Sequence, residues 1–191
     1  MTLRDYIYSI VPLENQVMQD VVQSFEQLQL PKGTQILSQG KTCQYLYFIE
    51  KGLARSYYIN EKGRDITIWF FSDNNLMLSL ESFFQQKPGL YQIELLEKSD
   101  LYRISYEGLH HLFDRYHGME RFGRLVSIEL LNNAVKKLNA IQFQTAQQRY
   151  EFLIQKYPDI AYRAPLGHIA SYLGITQETL SRIRANNRRL K

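Results

Sequence analysis

One cysteine, four histidines and five prolines in 191 residues leave this chain short of the groups on which covalent staples and metal centres depend. Cys43 has no partner for an intramolecular disulfide and stands three ligands short of a four-cysteine iron–sulfur site, so it reads as a small buried side chain. No histidine precedes His110, which leaves the strand-rich part of the chain without the imidazoles a barrel-bound metal needs. His110 and His111 are neighbours in a helical stretch, where consecutive side chains point about 100° apart and do not share an ion. No glycine-rich phosphate loop, nucleophile elbow or Cys/His pair of recognised spacing is present, so no metal, cofactor or catalytic residue is expected. Nor does any segment approach the ~20 apolar residues of a membrane span, so no membrane partner is expected and the cytoplasm is the default location. Arginine is also missing from one long stretch: between Arg64 and Arg103 the only cations are Lys87 and Lys98.

What is present is unevenly distributed. The net charge is +4, yet residues 141–191 hold eight Lys/Arg against three Asp/Glu, and the rest of the chain holds 15 against 16. The positive charge therefore belongs to the last quarter, where Arg182, Arg184, Arg188, Arg189 and Lys191 form a plausible phosphate footprint. In the same region, IASYLGITQETLSRIRA (169–185) reads as helix, glycine turn and helix. At about 100° per residue, Gln177, Glu178, Ser181 and Arg182 fall on one side of the second helix, and Leu180 and Ile183 on the other. One side is built to pack and the other to face outward.

Upstream, the first thirty residues read as helix, with Val17, Val21, Val22, Phe25 and Leu28 recurring at three- and four-residue steps. From Leu30, glycines separate short runs rich in Tyr, Ile, Phe and Leu: TQILSQ, YLYFIE, LARSYYIN and DITIWFF. Asn60–Gly63 reads as a hairpin turn with glycine in the left-handed position, and two more strands are expected near 92–96 and 100–105. Together these predict an antiparallel sandwich or barrel. A long helix follows over 118–141, with Met119, Phe122, Val126, Leu130, Ala134, Leu138 and Ile141 on a drifting apolar stripe that Leu125, Ile128, Leu131 and Val135 widen. That is more apolar surface than one buried face requires, so a partner is expected on the second face. The last segment opens with an amphipathic helix over QTAQQRYEFLIQKYP, stopped by Pro158, before the helix pair.

The succession PKGTQILSQG, YLYFIEKGLARSYYINEKGRDITIWFF and LYRISYEGLHHLF, followed by a long helix and a terminal helix pair, resembles Crp/Fnr-type transcription regulators from about Val17 onward. The resemblance implies an α+β fold with three parts: an N-terminal antiparallel β-roll (a double-stranded β-helix) with flanking helices over 1–117, a dimerisation helix over 118–141, and a helix-turn-helix domain over 142–191. It implies a homodimer on a palindromic double-stranded DNA operator, with RNA polymerase as a further partner. Met119, Phe122, Val126, Leu130, Ala134 and Leu138 are then the expected dimer contacts. Gln177, Glu178, Ser181 and Arg182 are expected at base edges, where arginine pairs with guanine, glutamate accepts from cytosine and glutamine pairs with adenine. Thr176, Arg184, Arg188, Arg189 and His168 are expected at phosphates. The wing that usually follows the second helix is expected to be reduced or missing, with Arg188, Arg189 and Lys191 taking over its contacts.

Nucleotide-responsive members hold a cyclic phosphate through an arginine in the segment matching 72–97, because a buried phosphate needs a bidentate cation. That segment has no arginine here, so cyclic AMP is not the expected effector. An unidentified small molecule is expected near Leu78, Glu81, Lys87 and Tyr91. The competing reading is a small-molecule-binding regulatory module whose C-terminal helices contact a protein instead of DNA.

Overall fold

A computed structural model describes the backbone of residues 1–189 and the side chains as far as Asn186. The apolar N-terminal pattern is two helices and a strand instead of one long helix: α1 (Leu3–Ile10), α2 (Asn15–Gln23) and β1 (Glu26–Leu30). Pro12 lies in the break, and a Thr2–Asp5 capping box, with hydrogen bonds of 3.1 Å in each direction, opens α1. The glycine-punctuated region forms β2 (Gln35–Leu37), β3 (Tyr45–Lys51), β4 (Ala54–Ile59), β5 (Asp65–Phe71) and β6 (Asn75–Met77). A short helix α3 (Leu80–Gln85) then precedes β7 (Gln92–Leu95) and β8 (Ser99–Ser105). Gly63 takes φ +70° in the expected hairpin, and the Asn60 side chain accepts from the amides of Lys62 and Arg64 at 3.0 Å.

The strands make two antiparallel sheets, ordered β1-β8-β3-β6 and β2-β7-β4-β5. Leu46, Phe48 and Ile104 belong to one buried core with α1, α2, α4 (Tyr106–Arg115) and the start of α5 (His117–Phe143). The Tyr6 ring lies 5.0 Å from that of Phe48 and crosses Phe122 edge-on. Gly123 lets α4 approach α5 closely, since a Cβ there would lie 2.9 Å from the Phe113 ring.

A second core joins the C-terminal helices to the other sheet. Leu53, Phe70 and Leu96 pack with Tyr150, Leu153 and Tyr157 of the α6 region (Ala146–Lys156) and Ile160 of α7 (Ile160–Arg163). Ile169, Ala170 and Leu173 of α8 (Leu166–Leu173) and Leu180 and Ile183 of α9 (Gln177–Arg189) complete it. Strand β5 is an edge strand, and its outer backbone groups are met by helix side chains. The Tyr157 hydroxyl donates to the Phe70 carbonyl at 2.8 Å, and the Lys137 ammonium donates to the Ile68 carbonyl. Ser171 Oγ accepts from the Thr67 amide at 3.0 Å and donates to the Asp65 carbonyl at 3.2 Å. Among the described residues no helix is long and apolar enough to cross a membrane.

Candidate functional site

The terminal helix pair forms because its turn residues suit the backbone they occupy. Gly174 ends α8 at φ +67°, a left-handed conformation open to glycine without strain, and its amide closes on Ser171 at 3.1 Å. Thr176 Oγ1 accepts from the Thr179 amide at 3.2 Å and so caps α9. Leu180 is fully buried and Ile183 nearly so, whereas Gln177, Glu178, Ser181 and Arg182 are all exposed. Hydrogen bonding to its own amide and to Thr176, with a smaller contribution from the Arg182 charge, holds the Glu178 carboxyl below the ordinary glutamate range. Among the described residues, Arg182 is lightly tethered, with a long contact of 3.4 Å to Thr179. The face therefore offers an ionised acceptor, an amide, a hydroxyl and a guanidinium on adjoining turns.

Two residues read as phosphate ligands stand elsewhere. His168 packs against the sheet beside Arg55, Asp65 and Glu94, its Nδ1 covered, and burial followed by the Arg55 charge pushes its pKa down. It is half-buried on the side of α8 that lies on β5. Arg184 lies back over the Tyr150 ring at 5.9 Å, with Nε and Nη2 covered and without a hydrogen-bond partner among the described residues. Thr176 is exposed at the start of α9. Arg188 and Arg189 lie on its backbone, but their side chains, like the whole of Leu190 and Lys191, fall outside the described residues.

The long helix also sorts its residues differently from the stripe read in the sequence. Met119 and Phe122 are buried in the chain's own core, so neither is free to meet a second copy. Val126 and Leu130 are half-buried, while Ala134 and Leu138 are exposed. The outward row is Ile128, Leu131, Val135 and Leu138, spaced three and four apart and led by Leu131 at 65% exposure. The pattern drifts because the start of α5 packs into the first core through Met119 and Phe122, while farther along Lys137 turns toward β5 and Ala140 is buried, which leaves this row facing outward.

Within the roll, a cavity of about 330 Å³ opens between the two sheets. Leu78 lines it, as do Leu37, Lys41, Tyr47, Ile93 and Arg103. Glu81 and Lys87 are exposed, Tyr91 packs edge-on against Tyr58, and none of the three lines the cavity. Glu81 misses it because it lies on the exposed side of α3, while Ser82 anchors the segment inward by accepting from the Cys43 amide at 2.9 Å and donating to the Lys87 carbonyl at 2.5 Å. Arg103 and Tyr47 went unread in the sequence. The usable signal was register: Tyr45 and Tyr47 share one face of β3, and Arg103 stands opposite Tyr47 on β8.

Two further arginines knit the structure, Arg55 within one sheet of the roll and Arg163 between the roll and the C-terminal helices. Arg55, 3% exposed on β4, reaches Glu94 at 2.6 Å and Asp65 at 2.9 Å and stacks over Tyr57. Arg163 of α7 reaches Asp73 at 2.9 Å, Glu97 at 2.7 Å and the Gly52 carbonyl at 2.8 Å.

Residues 27–116 match the family model described as the cyclic nucleotide-binding domain. No curated protein matches the chain in sequence. Among solved structures, the chain resembles FixK2 from Bradyrhizobium japonicum, with a TM-score of 0.74 at 17% identity over 85% of this chain and 83% of that one. It also resembles the Thermus thermophilus catabolite activator protein, with a TM-score of 0.60 at 18% identity over 95% and 85% of the two chains. A third likeness is to a chain from Eubacterium rectale described as belonging to the Crp/Fnr family of transcriptional regulators, with a TM-score of 0.69 at 18% identity over 90% and 82%. At these identities the likeness establishes the fold.

Proposed function

We propose that this chain is a sequence-specific DNA-binding transcription regulator that acts as a homodimer on a palindromic site. The parts are a β-roll sensor over 1–117, a dimerisation helix over 118–141 and a DNA-binding unit over 142–191. The observation that carries the reading is the two-sidedness of α9, with Leu180 and Ile183 buried and Gln177, Glu178, Ser181 and Arg182 presented together. A helix so mounted can lay its N-terminal turns in a major groove, where these side chains match base edges. Thr176, at the exposed start of the helix, and the basic end of the chain supply phosphate contacts. Ile128, Leu131, Val135 and Leu138 form the face through which two copies join, and half-sites roughly 34–36 Å apart follow from a two-fold pair of such helices. Solved structures of the same fold include a catabolite activator protein and a chain described as a Crp/Fnr-family transcriptional regulator, which supports a regulatory role.

Selection of bound fragments from random duplexes tests this reading. Enrichment of a palindrome is the expected result, with Arg182→Ala weakening cognate binding by about 1–3 kcal/mol and relaxing one base position. No enrichment, with weak binding governed by salt alone, refutes it and favours a protein-contacting module.

A further inference from the structure

We propose that the roll cavity is a binding site for a compact organic acid, a carboxylate on an apolar body, held by Arg103 from the wall opposite the arginine-free segment. This names a ligand class for the sensor role given to the roll above. The cavity, about 330 Å³, lies at the small end of the range in which organic ligands bind, roughly 300–1,000 Å³. Among the described residues its lining contains two cations, Lys41 and Arg103, and no aspartate or glutamate, while Leu37, Leu78 and Ile93 supply an apolar floor. Positive charge above an apolar floor selects an amphipathic anion over a neutral or wholly polar one.

Arg103 is presented for the task. Its register on β8, opposite Tyr47 of β3, directs it between the sheets, and its guanidinium lies over the Tyr45 ring at 4.5 Å. Glu26, on edge strand β1, occupies the other side: Nε and Nη2 both reach the same Glu26 oxygen at 2.7 Å. A guanidinium carries five donors in a flat fork, so this single-oxygen contact leaves donors that the Tyr47 hydroxyl shares and that a carboxylate can reach. The Tyr47 hydroxyl stands beside it, its pKa raised by burial and drawn back by Arg103. Glu26 is more exposed than Arg103, which puts the competing carboxylate on the solvent side. Lys41 sits in a loop whose position is fixed: the Gly40 amide donates to the Gly89 carbonyl, the Gly89 amide donates to the Lys41 carbonyl, and Ser82 holds the Cys43 amide.

Calorimetric titration of the full chain, without DNA, with octanoate and phenylacetate tests the proposal, using octanamide and phenylacetamide as uncharged matches. Its outcome is independent of the duplex selection, so either reading can fail alone. The expected result is that the acids bind and the amides bind at least tenfold more weakly. Arg103→Gln weakens the acids at least tenfold, and Lys41→Gln weakens them several-fold. Glu26→Gln, an exposed change that spares the fold, tightens them several-fold by releasing Arg103 from its competitor. Equal binding of acids and amides, no binding of either acid, or acid affinity unmoved by Glu26→Gln overturns the proposal, and the last holds even where Arg103→Gln fails to fold.

Discussion

Removing Arg163 should loosen the whole C-terminal half from the roll, and the structure sets the size of the effect. The guanidinium forks onto Asp73, with Nη1 at 2.9 Å and Nη2 at 3.2 Å, and onto Glu97, with Nη2 at 2.7 Å and Nε at 3.3 Å. It also caps the Gly52 carbonyl at 2.8 Å, and the Gly52 amide in turn donates to Asp73 at 2.6 Å. Fully exposed ion pairs contribute about 0–1 kcal/mol, and breaking a fully buried one costs about 3–5. Here the side chains are 21% exposed for Arg163, 39% for Asp73 and 32% for Glu97, so solvent screens each fork substantially. Roughly 1 kcal/mol for each screened fork, with a similar contribution from the carbonyl left uncapped, gives about 2–3 kcal/mol for Arg163→Ala. For a chain of this length that corresponds to a fall in Tm of roughly 4–12 °C. Urea unfolding of Arg163→Ala, Asp73→Asn and the double variant measures it, with a coupling energy of about 1 kcal/mol expected between the two sites. Arg163→Lys should fall between, because a lysine keeps the charge and loses the fork. An Arg163→Ala protein within about 0.5 kcal/mol of the parent, or strict additivity with Asp73→Asn, refutes the account of Arg163 as the joint between halves.

Other perturbations probe the same contact region. Burial and then the Arg55 charge hold His168 below its ordinary 6.5, so the unfolded chain takes up a proton that the folded one refuses. Stability is then complete above about pH 6.5 and declines as the pH falls below it, and His168→Gln should flatten that decline in unfolding curves between pH 7 and 5. Burial and then the Lys156 charge bring Lys137 down to about 8, so stability should rise between pH 8 and 10.5, and Lys137→Met should abolish the rise. The Trp69 and Tyr172 rings, 4.4 and 4.6 Å from its ammonium, favour the charged form and bound how far burial can push it. Leu180→Ala, at a fully buried position under α9, should cost about 2–5 kcal/mol in thermal unfolding.

How much was legible in the sequence follows from how local each feature is. The strands bounded by glycines, the Asn60–Gly63 hairpin and the Gly174 turn all depend on a few adjacent residues, and they stand where the pattern puts them. The two faces of α9 were equally readable, because helical periodicity alone separates Leu180 from Arg182. The N-terminal run misled because β1 continues an apolar spacing that α2 begins, and a three- and four-residue rhythm does not reveal where helix gives way to strand. The inward placement of His168 and Met119 was not legible for a different reason. Each sits on a correctly placed helix, but its partner is a sheet or helix far away in the chain, and the side that faces that partner is decided by docking. Arg55, Arg103 and Arg163 escaped for the same cause, since their carboxylates come from strands and loops tens of residues distant.

The covered margin of β5 bears on how the molecule can be divided. A truncated chain ending after α5 would strip Tyr157 and Ser171 from the strand's outer groups and uncover Leu53, Phe70 and Leu96 beside them. A bare strand margin next to an apolar patch is a template for strand-to-strand aggregation. The roll is therefore not a portable cassette: each half acts as a chaperone for the other's sticky surface, and recombining either with a foreign domain requires a replacement lid for β5.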